Sequence, residues 1–313
     1  MTCPTVRTLT LNPSIDISSE TERVEPTVKL RMVGERLDAG GGGINVARVL
    51  NRFGVDVEAV YLAGGPTGHL LERLLGRDGL PNKAIAIAGD TRTSLTVHAS
   101  QTGEEYRFVP EGPLVGPAEI ARAIAAATDC ASAYFVASGS LPRGAGDDVY
   151  AELRAALPEA TRLVLDTSGA ALGHALAGAG LFLVKASADE FAAARSDAPG
   201  NHSAIAEGAR ELVAAGKAEL VAVSFGSDGA LLANADGSWF VPAIPVEVAS
   251  TVGAGDSFLA GMLFAFANGM SALDALRWGT ATGAATVATE RTGLCNHAEA
   301  AALLPRVAEP RAL

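Results

Sequence analysis

Residues 250–258 read STVGAGDSF, a glycine-broken turn that runs directly into an apolar helix predicted for residues 258–267. Gly253 and Gly255 tolerate backbone conformations that other residues resist, so the N–H groups at the start of this helix can converge on one point. The helix dipole adds roughly half a positive charge at the same end, where the first N–H groups lack carbonyl partners within the helix. The stretch therefore predicts a binding site for an anion such as a phosphate group.

Asp256 follows these glycines, although a carboxylate at an anion site would repel a bound phosphate. The position makes chemical sense if Asp256 faces a neutral hydroxyl and removes its proton while backbone donors hold a transferring phosphoryl group. The alternative is an aspartate that only caps the N-terminus of a buried helix. The choice between these two roles of Asp256 depends on whether other segments of the sequence place ligand-binding residues at the same site.

The overall composition limits the kind of protein and its partners. The chain has 313 residues and 49% apolar content, enough for one large α/β domain or two small ones with a buried core. A net charge of −11 argues against nucleic acid or an anionic membrane as the main partner. The start of the chain lacks a signal-peptide pattern, and three widely spaced cysteines, Cys3, Cys130 and Cys295, favour reduced thiols. We therefore expect a cytoplasmic protein.

A second glycine-rich loop, with the sequence DAGGGGINVAR at residues 38–48, opens another predicted helix. Each of four consecutive glycines adds to the entropy lost on folding, and a plain surface turn needs at most two. Close approach of a ligand to the backbone is the better explanation. Asn45 stands where a dinucleotide-binding GxGxxG would have its third glycine, and the chain contains no GxxxxGK[ST], so both of these nucleotide motifs are absent.

Several charged residues are candidates for the ligand-binding edge of a sheet. A strand predicted near the N-terminus ends at Asn12-Pro13, and Asp16 beyond it is either a turn residue or a ligand for polyol hydroxyls. Residues 29–33 alternate basic and apolar side chains, which predicts a half-exposed strand with Lys29 and Arg31 on one face. These two cations are either solvated surface charges or part of an anion clamp.

A predicted hairpin interrupts the alternation of strands and helices. Residues 93–100 and 105–109 form its two strands, and Arg92 at its entrance is a third candidate cation. Together with residues from roughly 14–38, the segment at roughly 90–110 is expected to form a small β lid over the ligand edge of the main sheet.

From residue 133 onward, apolar strands alternate with helices, which is typical of a parallel sheet covered on both faces. We predict a single domain over residues 1–313, because no linker or internal repeat divides the sequence. Lys185 ends one of these strands, at the edge where ligands bind, and Glu190 follows it. Lys185 either binds a phosphate or metal-linked group there or extends to solvent along its aliphatic stem.

Taken together, these residues resemble the ribokinase-like (PfkB) family of carbohydrate kinases. The loop at residues 38–48 resembles the first signature of the family and residues 250–257 resemble the second, within a resemblance that covers essentially the whole chain. The opening LTLNPSID is similar to the branch that phosphorylates sugar phosphates. The features that look most like the 6-phosphofructokinases of that branch are Lys29-Leu30-Arg31, the unbroken glycine run, the stretch Tyr106-Arg107-Phe108-Val109 and Leu294-Cys295.

The resemblance implies a Rossmann-type, doubly wound, mostly parallel sheet with a small β lid that pairs between the subunits of a homodimer. The implied reaction is ATP-dependent phosphorylation of the 1-hydroxyl of fructose 6-phosphate to give fructose 1,6-bisphosphate. Asp256 would be the general base, and the backbone N–H groups of Gly253, Ala254 and Gly255 would form the anion hole. The sugar would be held through its hydroxyls by Asp16, Gly41, Gly42 and Asn45, and through its phosphate by Lys29, Arg31, Arg92 and Ser140.

The same resemblance implies a nucleotide site and its cations. The ATP phosphates, bridged by Mg²⁺ near Glu190, would lie along Lys185, Ser187, Ser224, Gly226 and Gly229. Ser187 occupies the place of the asparagine in the family's Asn-x-x-Glu metal motif, so we expect activity to survive with a higher Mg²⁺ requirement. A monovalent cation such as K⁺ is a further candidate, beside Ser250 and Val252.

Three other functions stay open at this point. A sibling kinase that uses fructose 1-phosphate or tagatose 6-phosphate would keep the same fold and mechanism. A non-catalytic sensor of nucleotide or sugar phosphate is suggested only by the serine at position 187, and the retention of Asp256 argues against it. An NAD-dependent dehydrogenase is disfavoured because the dinucleotide fingerprint is missing.

Overall fold

Apolar strands that are buried on both faces make up the main sheet, as the sequence predicts. The protein is described from a computed structural model, which covers residues 3–195, 201–290 and 292–313. The strands in these residues are β1 (Val6–Thr10), β2 (Ser14–Thr21), β3 (Val33–Gly40), β4 (Val57–Ala63), β5 (Asn82–Ala86), β6 (Arg92–Ala99), β7 (Glu104–Phe108), β8 (Tyr134–Ser138), β9 (Arg162–Asp166), β10 (Leu181–Ser187), β11 (Ala218–Ser224), β12 (Gly229–Asn234), β13 (Gly237–Pro242) and β14 (Arg311–Ala312).

Helices cover both faces of this sheet, because their apolar residues must be buried against it. One layer contains α1, α2 and the three C-terminal helices, and the other contains α3 to α7. The helices are α1 (Gly42–Arg52), α2 (Gly65–Arg77), α3 (Pro117–Ala127), α4 (Val149–Ala156), α5 (Gly169–Ala177), α6 (Ala188–Ala194), α7 (His202–Ala214), α8 (Ala254–Ala267), α9 (Ala272–Val287) and α10 (His297–Leu303). None of the helices in the described residues combines the length and the apolar character that a membrane crossing requires.

The strand order of the main sheet creates a crevice at its centre. In the described residues this sheet has the order β14-β13-β12-β11-β10-β9-β8-β1-β4-β5, with the strands from β5 to β11 parallel. The chain winds outward in both directions from β1, so the connections diverge beside that strand. Ligands of doubly wound sheets bind at the carboxyl ends of the strands next to such a point. The predicted fold class is confirmed.

A second, four-stranded sheet has the order β3-β2-β6-β7. The predicted hairpin is present, because β6 and β7 pair antiparallel from Leu95 opposite Phe108 to Ala99 opposite Glu104. The strand predicted at residues 29–33 is wrong, since β3 begins only at Val33 and the preceding residues have no regular secondary structure. Alternating basic and apolar side chains also fit an exposed irregular segment whose apolar residues are not buried. In this segment Val28 is 53% exposed and Met32 is 48% exposed.

The expectation of three unpaired cysteines also needs correction. Cys3 and Cys130 form a disulfide pair with their Cα atoms 5.9 Å apart, while Cys295 is a buried free thiol. The two paired residues are 127 positions apart in the chain, so their spacing carried no signal of the contact. The pair lies beside the N-terminal end of β1, because Asp129, next to Cys130, accepts a hydrogen bond from Arg7 on that strand.

A buried ion-pair network fixes the junction between the two sheets. Asp38 lies on β3 just before the glycine loop, and its carboxylate accepts hydrogen bonds from Arg48 of α1 at 3.3 Å and from Thr292 at 2.6 Å. The Arg48 side chain is 3% exposed and also donates to Asp78 at 2.6 Å and to the carbonyl oxygen of Ala39 at 2.9 Å. The network therefore ties the second sheet to the helix that follows it.

Replacing Arg48 with Ala should destabilise the protein by about 3–5 kcal/mol, because it leaves the buried Asp38 carboxylate without its buried cation. Arg36→Ala is the matched control, since Arg36 pairs with the same carboxylate at 2.7 Å but its side chain is 44% exposed. The control should change the free energy of unfolding by about 1 kcal/mol or less. Urea unfolding followed by circular dichroism measures both values, and equal losses for the two variants would contradict the assignment.

Candidate active site

The carboxyl ends of three neighbouring strands place charged and polar side chains in one row. Ser138 of β8 lies opposite Asp166 of β9, and Asp166 lies opposite Lys185 of β10. The Lys185 Nζ atom is 3.1 and 3.2 Å from the two carboxylate oxygens of Asp166, and both residues are buried. Burial alone would lower the pKa of Lys185, but the carboxylates of Asp166 and Asp256 outweigh it and raise that pKa. Lys185 is therefore a fixed positive charge at the crevice.

A polar cavity of about 270 Å³ opens above this row and separates the two sheets. Ten residues predicted for the site line it, and they come from both sheets and from the two glycine loops. They are Asp16, Gly41, Gly42, Asn45, Arg92, Ser140, Lys185, Glu190, Gly253 and Asp256.

The glycine run before α1 is required mainly by protein packing. A Cβ atom on Gly42 would collide with the hydroxyl of Ser138, and one on Gly40 would collide with the carboxylate of Asp16. Gly41 adopts a φ of +114°, which L side chains rarely reach. The sequence-based explanation, a ligand close to the backbone, applies only to Gly41 and Gly42, which line the polar cavity. The close packing brings α1, and with it Asn45, against the ends of β1 and β8.

The N-terminus of α8 lies between the polar cavity and a second, largely apolar cavity of about 520 Å³. Gly253 starts the helix with a φ of +74° and lines the polar cavity, whereas Ala254 and Gly255 line the apolar one. A Cβ atom on Gly255 would lie 2.8 Å from Nζ of Lys185, so glycine leaves room for that ammonium group. The start of this helix and a lysine thus meet where the two cavities join, and the N–H of Ala254 there makes only a long hydrogen bond of 3.4 Å to the carbonyl oxygen of Thr251.

Asp256 occupies the first turn of α8 and faces the polar cavity. Its carboxylate accepts a hydrogen bond of 2.8 Å from Nδ2 of Asn45. Burial and the negative charge of Asp166 raise the pKa of Asp256 to about 7, although Lys185 and the bond from Asn45 act in the opposite direction. A carboxylate with such a pKa is a suitable proton acceptor near neutral pH.

Ser187 and Glu190, two residues of the predicted metal motif, are hydrogen-bonded to each other. Ser187 caps α6: its hydroxyl accepts from the N–H of Glu190, and one carboxylate oxygen of Glu190 accepts from both the N–H and the hydroxyl of Ser187 at 2.8 Å. Glu190 lines the polar cavity, whereas Ser187 does not. No cluster of three or more candidate metal ligands occurs in the described part of the chain. This donor set suits Mg²⁺ held by one or two carboxylates together with ligand phosphates, which is the usual mode for that ion.

The predicted cations are divided between the cavity and the surface. Arg92 lines the polar cavity and donates to the carbonyl oxygens of Pro110 at 2.8 Å and Asn12 at 2.9 Å. Lys29 and Arg31 are exposed and do not line the polar cavity of their own chain. Of the three cations predicted to bind the sugar phosphate, only Arg92 lines the polar cavity, together with Ser140.

Two charged residues that line the cavity, Arg107 and Asp166, were given no role in the site by the sequence analysis. Asp166 ends an apolar strand, which is the same signal that identified Lys185. Arg107 lies on β7 opposite Thr96 of β6, and both line the cavity. Its pairing register could not be read from the sequence, so its side chain could not be assigned to a face.

The apolar cavity is lined by three residues that were predicted for the nucleotide site. Ser224, Gly226 and Gly229 line it together with side chains of α8 and α9 and of the segment before α8. Such a cavity suits a flat apolar ring whose anionic end reaches the start of α8. The rest of its lining includes Ala243, Ile244, Pro245, Val246, Val248, Phe258 and Val287.

Comparisons with known proteins show which family the chain resembles over most of its length. The sequence profile of the pfkB family carbohydrate kinases matches residues 10–299. An ATP-dependent 6-phosphofructokinase isozyme 2 from Mycobacterium tuberculosis is 40% identical over 310 residues, which cover 98% of this chain and 91% of that protein. The isozyme 2 of Escherichia coli is 36% identical over 93% of this chain and 95% of its own. A 1-phosphofructokinase from Xanthomonas campestris is 35% identical over 85% of this chain and 86% of its own.

Solved structures of phosphofructokinase-2 from Escherichia coli are similar over nearly the whole length. Its complex with fructose-6-phosphate superposes with a TM-score of 0.90 at 34% identity, over 97% of this chain and 99% of that chain. Its complex with potassium gives a TM-score of 0.91 over the same shares of the two chains. Its tetrameric inhibited form gives a TM-score of 0.89, again over 97% and 99%.

The carboxyl group of Asp256 should titrate at about pH 7, far above an ordinary aspartate. Carbon-13 NMR of the aspartate carboxyl carbons measures this, with the Asp256→Asn spectrum to assign the signal. Asn45→Ala should raise the value further, because it removes a hydrogen bond that favours the charged form. A titration below about pH 5 in the unmodified protein would contradict the assigned environment.

Proposed function

Because the chain belongs to the pfkB family of carbohydrate kinases, we propose that it transfers a phosphoryl group from ATP to the 1-hydroxyl of fructose 6-phosphate. The product would be fructose 1,6-bisphosphate. One observation supports this reaction most directly: Asp256, with a pKa of about 7, lies at the N-terminus of α8, where the polar and apolar cavities join. A sugar hydroxyl in the polar cavity and the phosphate chain of a nucleotide from the apolar cavity would meet there.

Asp256 would act as the general base. Its carboxylate would accept the proton of the attacking hydroxyl, a contribution of roughly 10²- to 10⁴-fold in rate for a placed base. Asn45 orients the carboxylate through its 2.8 Å hydrogen bond. Because the base must be deprotonated, activity should rise as the pH rises through about 7.

The start of α8 and Lys185 would stabilise the phosphoryl group in transfer. The backbone N–H groups of Gly253, Ala254 and Gly255 would form the anion hole, in line with the helix dipole. Lys185 would place its positive charge beside the same group, since its Nζ atom lies next to Gly255. Donors held by the helix and by the strand in this way would limit the reorganisation needed in the transition state.

Residues from both sheets would hold the sugar phosphate. Asp16, Asn45 and the backbone of Gly41 and Gly42 line the part of the cavity next to Asp256 and would bind hydroxyls. Arg92, Ser140 and Arg107 would bind the phosphate of the acceptor, because guanidinium groups match phosphate oxygens in charge and geometry.

The nucleotide would lie in the apolar cavity, with its phosphates near Lys185, Ser224, Gly226 and Gly229. Mg²⁺ would be held at Glu190 and would neutralise charge on the transferred phosphates when bound. Ser187 would act on this ion only through Glu190, since its hydroxyl caps α6. We also place a monovalent cation beside Ser250 and Val252, where the buried Ser250 hydroxyl and the Glu105 carboxylate concentrate oxygen atoms.

The proposed acceptor should show the highest kcat/KM among fructose 6-phosphate, fructose 1-phosphate, tagatose 6-phosphate and unphosphorylated fructose. Arg92 and Arg107 make no favourable charge pair with an unphosphorylated sugar, so we expect a preference of about 10²-fold or more over fructose. Mg²⁺-dependent ADP release, measured over a range of Mg²⁺ concentrations, gives these values.

Asp256→Asn is the control variant of this assay. It should lower kcat by roughly 10²- to 10⁴-fold and leave binding of the sugar phosphate nearly intact. A higher kcat/KM for fructose 1-phosphate or tagatose 6-phosphate would favour the sibling kinases, which the similarity to a 1-phosphofructokinase supports as the second candidate. A preference for unphosphorylated fructose would contradict the proposed phosphate site.

We further propose that two copies pair through the second sheet as a homodimer. Apolar side chains are exposed on this sheet and on the segment before β3: Val33 is 65%, Phe108 is 55% and Met32 is 48% exposed. Exposed apolar patches of this kind mark interaction surfaces. Pairing here would bury them and would let Lys29 and Arg31 reach the polar cavity of the other subunit.

Met32→Glu should dissociate this dimer, because it places a carboxylate in the apolar contact. Sedimentation velocity should then show a monomer, and the KM for fructose 6-phosphate should rise if Lys29 and Arg31 act across the interface. Leu114→Glu is the matched control, since Leu114 is 68% exposed but lies outside the second sheet. A Met32→Glu protein that keeps the mass of the unmodified protein would argue against pairing through this surface.

A further inference from the structure

Asn12, which only marked the end of β1 in the sequence, is a hub of hydrogen bonds beside the polar cavity. Its side chain is buried, with 3% of the residue exposed. The Nδ2 group donates to the carbonyl oxygen of Glu111 at 2.9 Å, to the hydroxyl of Ser140 at 3.2 Å and to the carbonyl oxygen of Leu141 at 3.2 Å. Two of these partners can only accept, so they fix the orientation of the amide.

The backbone of Asn12 holds a second group of the same site. Its carbonyl oxygen accepts a hydrogen bond of 2.9 Å from Nη2 of Arg92, and Nη1 of Arg92 donates to the carbonyl oxygen of Pro110 at 2.8 Å. Asn12 therefore contacts both Arg92 and Ser140, whereas it does not line the polar cavity itself. Any influence on a ligand must pass through these two residues.

The surroundings of Asn12 also indicate a role other than general stability. Its Oδ1 atom is buried and makes no hydrogen bond with the described residues. A buried acceptor without a donor destabilises the folded state. The loop at Gly112 is shaped around this oxygen, because a Cβ atom on Gly112, which has a φ of +102°, would collide with it. The two hydrogens of Nδ2 are shared among three acceptors, and the amide is retained for these contacts at the expense of an unsatisfied oxygen.

We propose that Asn12 is a positioning residue that sets the placement of Ser140 relative to Arg92 and thereby the preference for a phosphorylated acceptor. This inference rests on the proposed function. The bond from Nδ2 holds the Ser140 hydroxyl, and the bonds to Glu111 and Leu141 hold the two loops that flank it. A phosphate then meets donors whose separation is already set, which reduces the ordering needed on binding.

Asn12→Ala should raise the KM for fructose 6-phosphate by about tenfold to hundredfold, because small displacements of binding groups have effects of this size. The KM for ATP and the kcat at saturation should change by about threefold or less, since neither Asp256 nor the apolar cavity contacts Asn12. The ratio of kcat/KM for fructose 6-phosphate to that for fructose should fall by the same tenfold to hundredfold. Initial-rate assays with the three substrates measure all of these values.

Asn82→Ala is the matched control, because Asn82 also donates from Nδ2 to a backbone carbonyl, of Leu80 at 2.8 Å, but lies at the start of β5, away from the cavity. It should leave the acceptor ratio unchanged. Asn12→Ser, which keeps one short donor, provides a second variant if Asn12→Ala fails to fold, and it should show a smaller change in the same direction.

A double-mutant cycle separates positioning from general disruption. If Asn12 acts through Ser140, Asn12→Ala should have a smaller effect in the Ser140→Ala background than in the unmodified protein. Fully additive effects would overturn the inference, as would equal losses of kcat/KM for fructose 6-phosphate and fructose. An unmodified enzyme that shows no preference for fructose 6-phosphate would instead overturn the proposed function, and the inference with it.

Discussion

The buried ion pair between Lys185 and Asp166 determines the electrostatics of the whole site. A buried charge without a partner destabilises the folded state, and neighbouring parallel strands hold these two opposite charges 3.1 Å apart. Asp256 adds a second carboxylate to the same pocket, so the single ammonium group of Lys185 interacts with two carboxylates. Burial raises the pKa of both carboxylates, and Asp256, which lacks the direct contact with Lys185, has a pKa of about 7. A proton acceptor with a pKa near neutral pH follows first from burial and then from the nearby negative charge of Asp166, and a basic residue next to Asp256 would lower that pKa.

Glycines allow two helices to approach this ion pair. Gly255 leaves room for the Lys185 ammonium group, and Gly42 leaves room for the hydroxyl of Ser138, which lies opposite Asp166 in the sheet. The N-termini of α8 and α1 can therefore reach the carboxyl ends of the central strands, and each helix supplies one partner of the hydrogen bond between Asn45 and Asp256. The two glycine loops thus have a common physical role, which is to bring helix starts into contact with strand ends.

The sequence could predict the features that depend on local pattern. The parallel sheet, α8, both glycine loops and Asp256 all follow from apolar periodicity or from glycine spacing, and the fold class is confirmed. Features that depend on distant contacts were missed or wrong. The strand predicted at residues 29–33 is irregular because no neighbouring strand pairs with it, and the contact between Cys3 and Cys130 joins residues 127 positions apart. Arg107 needed the register of β7 on β6, which is set by cross-strand packing and not by its own segment.

The origin of the cavity residues explains how the two sheets act together. Asp16, Arg92 and Arg107 come from the second sheet, whereas Asn45, Ser140 and Lys185 come from the main sheet and its helices. A ligand that contacts both groups at once would bind more tightly when the sheets are close together than when they are apart. Under the proposed function, binding of the acceptor between the two sheets would also exclude water from Asp256. This coupling matters for phosphoryl transfer, because water left beside an activated phosphoryl group would compete with the acceptor hydroxyl.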